Sequence, residues 1–566
     1  MSGAPLPASR PAGAGRSHIL TVVVEDYYQT VAFRNLIHPS QWYRFERRVA
    51  DNTRRALDLL AEFEIEATFF VLGCVANEMP EIVRDIAERG HEIATKGYYH
   101  RSIEQMTPAA FREDLRRSRE AIERACGQRV RGHRVARGRF GLDDLWALDI
   151  LAEEGFAYDS SFYPRLRSIA SQPWRRFPHL HRYDGRELWE LPLSTWKVGG
   201  LLVPLAGGNY FRQLPLTLVE RAFRDWERQS DAPFVLYFHV WELDPELPEI
   251  TAAGPLTRLR QYRNLQRMPA LVRHFLSQSS FSSVARHLGL EREPIEAGSR
   301  PAEPMESRPS TRVAASRPAV TVVVPCFNEE RVLPYLANTL QQVEEELERL
   351  YDLRFVFVDD ASTDGTWKLL HETFGASPHV RFFRHERNRG VAAAILTGIR
   401  EADTEIVCSI DCDCTYDPHQ LRELIPMLTE DVAMVTASPY HPSGRVLNVP
   451  GWRLFLSRTL SRLYGLVLHQ KLHTYTSCFR SYRRSAVQDL EIQEGGFLGV
   501  AEMVCALDSR GQRVVECPAV LEVRMLGRSK MKLPSGIAGH LRLLARMGRA
   551  RLAGRTPKNR ETRKDP

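Results

Sequence analysis

Short apolar runs, each closed by polar or turn-forming residues and followed by a stretch of helical spacing, recur along this chain in two separate series. The first series opens with ILTVVVEDYY, a β-branched run that ends in Glu25 and Asp26. It predicts a helix over Asp51 to Phe63, a strand in ATFFVLG and a helix over Pro80 to Arg89. Then come the segment HEIATKGYYH, a helix over Asp143 to Glu154, and a strand FVLYF that delivers His239. Strands that alternate with helices in this way suit a barrel or a distorted one.

The second series restarts abruptly with AVTVVVPCFNEE. The pattern predicts strands over Val320 to Val324, Arg354 to Val358, Val380 to Arg384 and Glu405 to Ile410. Between them it predicts helices over Glu330 to Glu348, Thr366 to Phe374 and Gly390 to Glu401. That alternation describes a doubly wound α/β domain with a parallel sheet, in which ligands bind beyond the carboxyl ends of the strands. A stretch rich in Pro, Ser and alternating charge separates the two series and offers nothing to bury. The chain therefore reads as a disordered N-terminus (1–17), a first domain (18–290), a linker (291–318), a second domain (319–545) and a basic tail (546–566).

Composition narrows the class. With 566 residues and 43% apolar content, more than one core can form. A formal charge of +7 on a chain of this length, with Lys and Arg balanced locally by Asp and Glu, excludes a nucleic-acid binder. Nine cysteines without a CxxC pair argue against a disulfide scaffold and against a structural zinc site, Cys408, Cys412 and Cys414 included, and fit a reducing cytoplasm. No secretion signal is recognisable, and no window reaches the roughly 18 to 20 apolar residues of a spanning helix. A soluble cytoplasmic protein is expected, or one peripheral at the inner face of the membrane. Two segments bear on that choice. The run Trp452 to Leu468 is apolar on one broad face and carries Arg453, Arg458 and Arg462, and Leu543, Leu544 and Met547 alternate with arginines near the C-terminal end. Each suits a helix at an anionic lipid surface, and each has a plainer reading as core packing or a solvated basic tail.

The residues after the strands of the second domain carry the chemistry. Asp411 and Asp413 flank one residue at the end of the strand EIVCSI, a spacing that lets two carboxylates of one turn approach a single divalent cation. Hard oxygens favour Mg2+ or Mn2+, with a diphosphate supplying further ligands. An isolated DxD is a weak signal. Its place at the fourth strand end, after FVDDASTDGT at the second, strengthens it.

With VVVPCFNEE, VDDASTDGT, NRGVAAAILTGI, SIDCDCTYDP, TYTSCFRSYRR and GRSKM in this order, the second domain resembles family 2 glycosyltransferases of the GT-A fold, in particular their polyprenyl-phosphate (dolichol-phosphate mannosyltransferase-like) branch. The resemblance implies that Pro325, Asn328, Glu329 and Asp360 hold the nucleotide and that Asp411 and Asp413 hold the metal on the sugar diphosphate. Arg480 and Arg483, with Arg528 and Lys530 of a second basic group that also contains Arg524, would meet phosphate on the acceptor or the leaving group. A phosphate acceptor needs little base catalysis. A sugar hydroxyl would need a carboxylate such as Glu502. The implied activity is inverting transfer from a nucleotide-sugar to a polyprenyl phosphate or a glycan. The family often has an acidic residue just before TSGFR, where this chain has His473 and Thr474.

The first domain resembles polysaccharide deacetylases of the branch that reads DVEDYF, HEIASHGYSHR, RAPSFS, YDSSxxP and YFHPWE, a family in which an Asp and two His bind a divalent metal such as Zn2+. Carried over, Asp26 and His100 would be ligands, Glu25 the second carboxylate and base, and His239 the late general acid. Lys96 occupies the place of the first ligand His, and an ammonium does not ligate a metal. Val23 and Arg134 to Arg137 also depart from the pattern. A cation beside Asp26 would lower metal affinity further, so an inactive, glycan-sized groove is implied, with Trp189, Trp196, Tyr210 and Trp241 available for stacking or for the core. Two other accounts remain: both domains catalyse, in envelope or exopolysaccharide assembly, or the whole chain is a non-catalytic scaffold.

Overall fold

The computed structural model describes residues 16–136, 140–164, 169–291, 293, 317–527 and 533–552. The chain divides into two compact units whose main parts are Arg47–Leu247 and Pro309–Pro566.

In the N-terminal unit one sheet runs in the order Val235–His239, Ser17–Val24, Thr68–Val71, Glu92–Thr95, Gly132–His133, Tyr158–Asp159, Arg186–Glu190, His179–Tyr183, with Ser280–Ser282 pairing the start of Ser17–Val24. Its central strands are parallel and wholly buried, as expected of a sheet covered by helices on its faces, and this is why SHILTVVV reads as an unbroken apolar run. The register pairs Val23 with His239, Val24 with Val71 and Val71 with Thr95. The residues that follow these strands therefore emerge at one edge of the sheet.

The polysaccharide-deacetylase-type α/β unit expected from the sequence is present as this series of strands; among the described residues no ladder joins the end strands, and the outer edge of Val235–His239 meets Gly207 through a single parallel bridge at Tyr237. The last two strands form an antiparallel hairpin. Asp184 and Gly185 turn it with φ of 44° and 73°, the left-handed pair that a two-residue hairpin requires. The outer strand is progressively exposed and ends in Arg182 and Tyr183, which blunts the edge.

The C-terminal unit holds a sheet in the order Val380–Arg384, Asp352–Asp359, Ala319–Cys326, Ile406–Ser409, Arg480–Arg483, Val432–Ser438, Arg513–Pro518. All of its neighbours pair in parallel except Arg480–Arg483, which runs against both strands beside it. The helices Leu333–Leu347, Thr366–Phe374 and Val391–Glu401 fall where the periodicity puts them. Strand order proceeds outward from Ala319–Cys326 on one side and then reverses to Ile406–Ser409 on the other. The topological switch point thus lies between these two strands, and the place beyond their carboxyl ends is where sheets of this kind form their ligand crevice. Helix Val391–Glu401 packs closely behind it: a Cβ on Gly398 would sit 2.3 Å from Val323 Cγ1, so only glycine fits.

Helix Gly451–Val467 buries Ser461 and Tyr464 but leaves Trp452, Phe455 and Leu466 at 52%, 71% and 75% exposure, so most of its apolar face is not packed into a core. Tyr464 donates to or accepts from His540 of helix Leu533–Leu552 at 2.8 Å, and Arg551 donates to Val467 O, so the two helices share a surface. No helix among the described residues is long and apolar enough to cross a membrane.

Candidate functional site

The crevice of the C-terminal unit is built from the loops that follow the strands. In each of the three loops after Ala319–Cys326, Asp352–Asp359 and Ile406–Ser409, one non-glycine residue adopts a left-handed conformation: Asn328 (φ 53°), Ala361 (φ 62°) and Cys414 (φ 51°). Such backbone costs about 1 kcal/mol or more per residue and persists where surrounding contacts over-determine it. Those contacts are visible. Asn328 N donates to Ser362 Oγ (2.8 Å) and Asn328 Oδ1 accepts from Thr363 N (2.7 Å), while Glu329 N donates to Thr366 Oγ1 (2.8 Å). The first and second loops are thereby locked together. Pro325 lies just before them, opposite Val358 in the ladder.

Asp360 is committed to the scaffold. Its carboxylate accepts from Arg389 N (2.8 Å) and Gly390 N (2.6 Å) at the start of helix Val391–Glu401, and Oδ1 lies 2.7 Å from His385 Nδ1. It satisfies amides that a helix N-terminus leaves without intrahelical partners, and so fixes the loop after Val380–Arg384 against the loop after Asp352–Asp359.

Asp411 and Asp413 emerge at the switch point as the spacing predicts. Asp411 is half-buried, and desolvation first and the charge of Asp413 second push its carboxyl up to about 7. Asp413 Oδ1 accepts from Thr415 N (3.0 Å) and from the Thr415 hydroxyl, and Oδ2 lies 2.9 Å from Arg524 Nε. Arg524 also donates from Nη2 to Glu329 Oε1 at 2.5 Å. A half-buried carboxyl that resists ionisation beside a second carboxylate, both with hard oxygen donors, is a seat that a divalent cation would relieve electrostatically, so these residues fit a Mg2+ or Mn2+ ion.

The other predicted residues do not converge on this crevice. Arg480 is fully buried and donates to Val500 O and Tyr475 O, both at 2.8 Å, so it ties backbone together and is not a phosphate ligand. Arg483 pairs with Ile406 in the ladder whereas Arg480 pairs with Ser409, which puts Arg483 at the opposite end of the sheet from Asp411; it donates to Thr429 O. Glu502 has both oxygens engaged. One accepts from Gln493 N (2.9 Å) and Glu494 N (3.0 Å), and the other pairs with Arg546. It anchors the loop whose Gly495 carbonyl accepts from Ala393 N, and it is not placed as a base. Arg528 and Lys530 lie outside the described residues, as does Arg137 of the first unit. His473 and Thr474, which stand where the family often has an acidic residue, donate their backbone N–H groups to Glu516, both at 2.8 Å.

In the N-terminal unit the aligned strand ends bring Glu25, Lys96, His100 and His239 together. Lys96 Nζ pairs with Glu25 Oε2 and lies 3.1 Å from His100 Nε2, which is 2.7 Å from the same carboxylate oxygen. His239 Nδ1 lies 2.9 Å from Glu25 Oε1, and the Trp241 ring is 5.4 Å from the His239 ring. Burial would raise the carboxyl of Glu25, but Lys96, then His239 and His100, outweigh it and hold the group well below its ordinary range. Asp26, expected with His100 as a metal ligand, also serves the backbone beside the cluster. Asp26 accepts from Tyr27 N, Arg48 N (3.0 Å) and Val49 N (3.2 Å) and caps a short helix, while Glu25 pairs with Lys96, His100 and His239. Among the described residues no three His, Cys, Asp or Glu side chains converge as a metal cluster.

Comparison with known proteins agrees with this division. Residues 321–491 match the family model of glycosyl transferase family 2, residues 38–155 that of polysaccharide deacetylase, and residues 160–289 a domain of unknown function (DUF3473). The chain thus carries a family 2 glycosyltransferase domain behind a polysaccharide deacetylase-type domain. The polyprenol monophosphomannose synthase of Mycolicibacterium smegmatis is 27% identical over 236 residues, 40% of this chain and 84% of that protein. The undecaprenyl-phosphate mannosyltransferase of Micrococcus luteus is 28% identical over 227 residues, 39% of this chain and 89% of that protein. The solved glucosyl-3-phosphoglycerate synthase of Mycobacterium tuberculosis, in complex with Mn2+, UDP-glucose and phosphoglyceric acid, is 20% identical with a TM-score of 0.31, covering 43% of this chain and 82% of that one.

The raised carboxyl of Asp411 has a sign that can be measured. Its protonated form is favoured in the folded state, so its stabilising contribution is complete below the unfolded value of about 3.9 and is lost as pH rises through the folded value. In a chelator, thermal melting of the full chain is expected to fall across that interval, and Asp411→Asn is expected to flatten the slope. An unchanged slope in the variant would show that Asp411 is not the group responsible.

Proposed function

We propose that this chain transfers a sugar, with inversion, from a nucleotide-sugar to a polyprenyl phosphate during cell-envelope or exopolysaccharide synthesis, and that its deacetylase-type domain is inactive. The observation that carries the reading is the pair Asp411 and Asp413 at the switch point, both half-buried, the first resisting ionisation and the second paired with Arg524. These two residues would hold a Mg2+ or Mn2+ ion, which supplies charge neutralisation for the departing diphosphate. Asn328, Glu329 and the loop locked by Asp360 form the opposite wall, where the nucleotide is held. The acceptor oxygen attacks the anomeric carbon from the face opposite the diphosphate, the bond to the diphosphate breaks, and the configuration inverts.

Two features support a phosphate acceptor over a sugar hydroxyl. A phosphate oxygen is already anionic and needs no base, and the candidate base Glu502 is engaged on both oxygens by Gln493, Glu494 and Arg546. The relatives named above act on polyprenol and undecaprenyl phosphates by their names. Arg528 and Lys530 keep their proposed role as phosphate ligands. A lipid acceptor also gives a purpose to the exposed Trp452, Phe455 and Leu466 on a helix that carries Arg453, Arg458 and Arg462, an apolar face with cationic flanks suited to an anionic bilayer surface.

For the first domain, inactivity follows from Lys96. Its ammonium sits among Glu25 and His100 where a cation would be bound, and it neutralises the carboxylate without offering a Lewis acid. A groove that binds glycan without cleaving it is the remaining role.

Three outcomes test these readings. With GDP- and UDP-sugars, Mn2+ and a polyprenyl phosphate, the chain should form a lipid-linked sugar, and Asp413→Asn should lower the rate by about 100-fold or more; transfer undiminished in the variant would remove the basis of the proposal. In an Asp413→Asn background the purified chain should hold no stoichiometric zinc by mass spectrometry, whereas adding Lys96→His should create zinc binding. Stoichiometric zinc in the parent would overturn the inactive reading. Sedimentation with vesicles containing phosphatidylglycerol should be lost on replacing Phe455 and Leu466 by Glu, while melting temperature stays unchanged; undiminished sedimentation would place any membrane contact elsewhere.

A further inference from the structure

Glu329 follows the first strand of the C-terminal sheet and Asp413 the fourth, so they stand on opposite lips of the crevice. Arg524 reaches both: Nη2 is 2.5 Å from Glu329 Oε1 and Nε is 2.9 Å from Asp413 Oδ2, with side-chain exposures of 14% for Arg524, 11% for Glu329 and 18% for Asp413. The contact to Asp413 is an ion pair out of line for a hydrogen bond, which marks it as charge compensation more than a fixed geometric tie. The second oxygen of Asp413 accepts from Thr415. Both oxygens of this carboxylate are therefore engaged in this state, one of them by a cation belonging to the chain itself.

We infer that Arg524 is the resting counter-cation of the donor site, that it competes with a divalent ion for Asp413, and that it is released toward the diphosphate when ion and nucleotide arrive together. The inference rests on the donor-site reading proposed above. Its physical basis is repulsion: a guanidinium and a divalent cation within a few ångströms of one carboxylate disfavour each other, by the same interaction that moves a pKa by about 1–3 units when a charge lies within roughly 4–6 Å. Burial does not relieve the conflict, because both cations would share a site largely closed to water. Once displaced, Arg524 remains tethered within a side-chain length of Glu329 and Asp413, where its planar fork suits two phosphate oxygens. The arrangement makes ion binding weak until an anion is present to receive the arginine, so that metal and nucleotide bind cooperatively and neither is held unproductively.

The test is Mn2+ binding to the full chain, followed by the paramagnetic signal of free ion, with and without GDP or UDP. Arg524→Gln should bind Mn2+ alone about tenfold or more tightly than the unaltered chain, because a competing charge has been removed. Adding the nucleoside diphosphate should then strengthen Mn2+ binding by a smaller factor in the variant than in the unaltered chain. A purely structural arginine could not give tighter ion binding on removal. Arg524→Lys keeps the charge but cannot span both carboxylates, and should fall between the two; it reads the same effect if the glutamine variant fails to fold. Unchanged or weaker Mn2+ binding in these variants, with intact melting, would overturn the inference alone. Absence of Mn2+ binding in the unaltered chain even with nucleoside diphosphate, or binding unaffected by Asp413→Asn, would overturn the donor-site reading together with it.

Discussion

Negative charge gathered at the carboxyl ends of parallel strands is the constraint on which both units depend. A parallel sheet brings successive strand ends to one edge, and in each unit that edge carries carboxylates sheltered from water. Such groups need a positive partner or they resist ionisation. The N-terminal unit answers with Lys96 against Glu25, and the C-terminal unit with Arg524 between Glu329 and Asp413, while Asp411, less well compensated, remains hard to ionise. The same electrostatic requirement has been met twice by a side chain.

Much of this was legible in the sequence, because periodicity reports burial directly. Helix Thr366–Phe374 and strand Val380–Arg384 lie where the pattern places them, and helix Val391–Glu401 differs by one residue. The DxD pair was legible for a different reason: a short acidic turn straight after a buried strand has one place to go, the mouth of the crevice.

What the sequence concealed depends on direction and on single-residue parity. Arg480 and Arg483 look equivalent in FRSYRR, yet the strand that carries them runs antiparallel, which sends Arg483 to the far end of the sheet, while the Arg480 guanidinium is spent on two backbone carbonyls. Glu25 and Asp26 are neighbours, and nothing in their chemistry says which one pairs with Lys96 and which one caps a helix. Glu502 sits in an apolar helix and could be taken for a base; only the loop amides and Arg546 reveal it as an anchor. Arg524 was legible as one of a basic group, but its pairing with Glu329 and Asp413, like the contacts of Glu516, joins residues remote in sequence and is announced by no local motif.

The lysine in the first unit has a consequence for how that domain comes into being. A cation carried on the polypeptide is delivered with synthesis, in fixed ratio, and does not have to be acquired from a cellular pool or defended against scavengers. On the proposed reading, in which Lys96 stands where a metal would bind, maturation of this fold would be uncoupled from trace-element supply, and a function that relies on its shape alone would inherit that constancy.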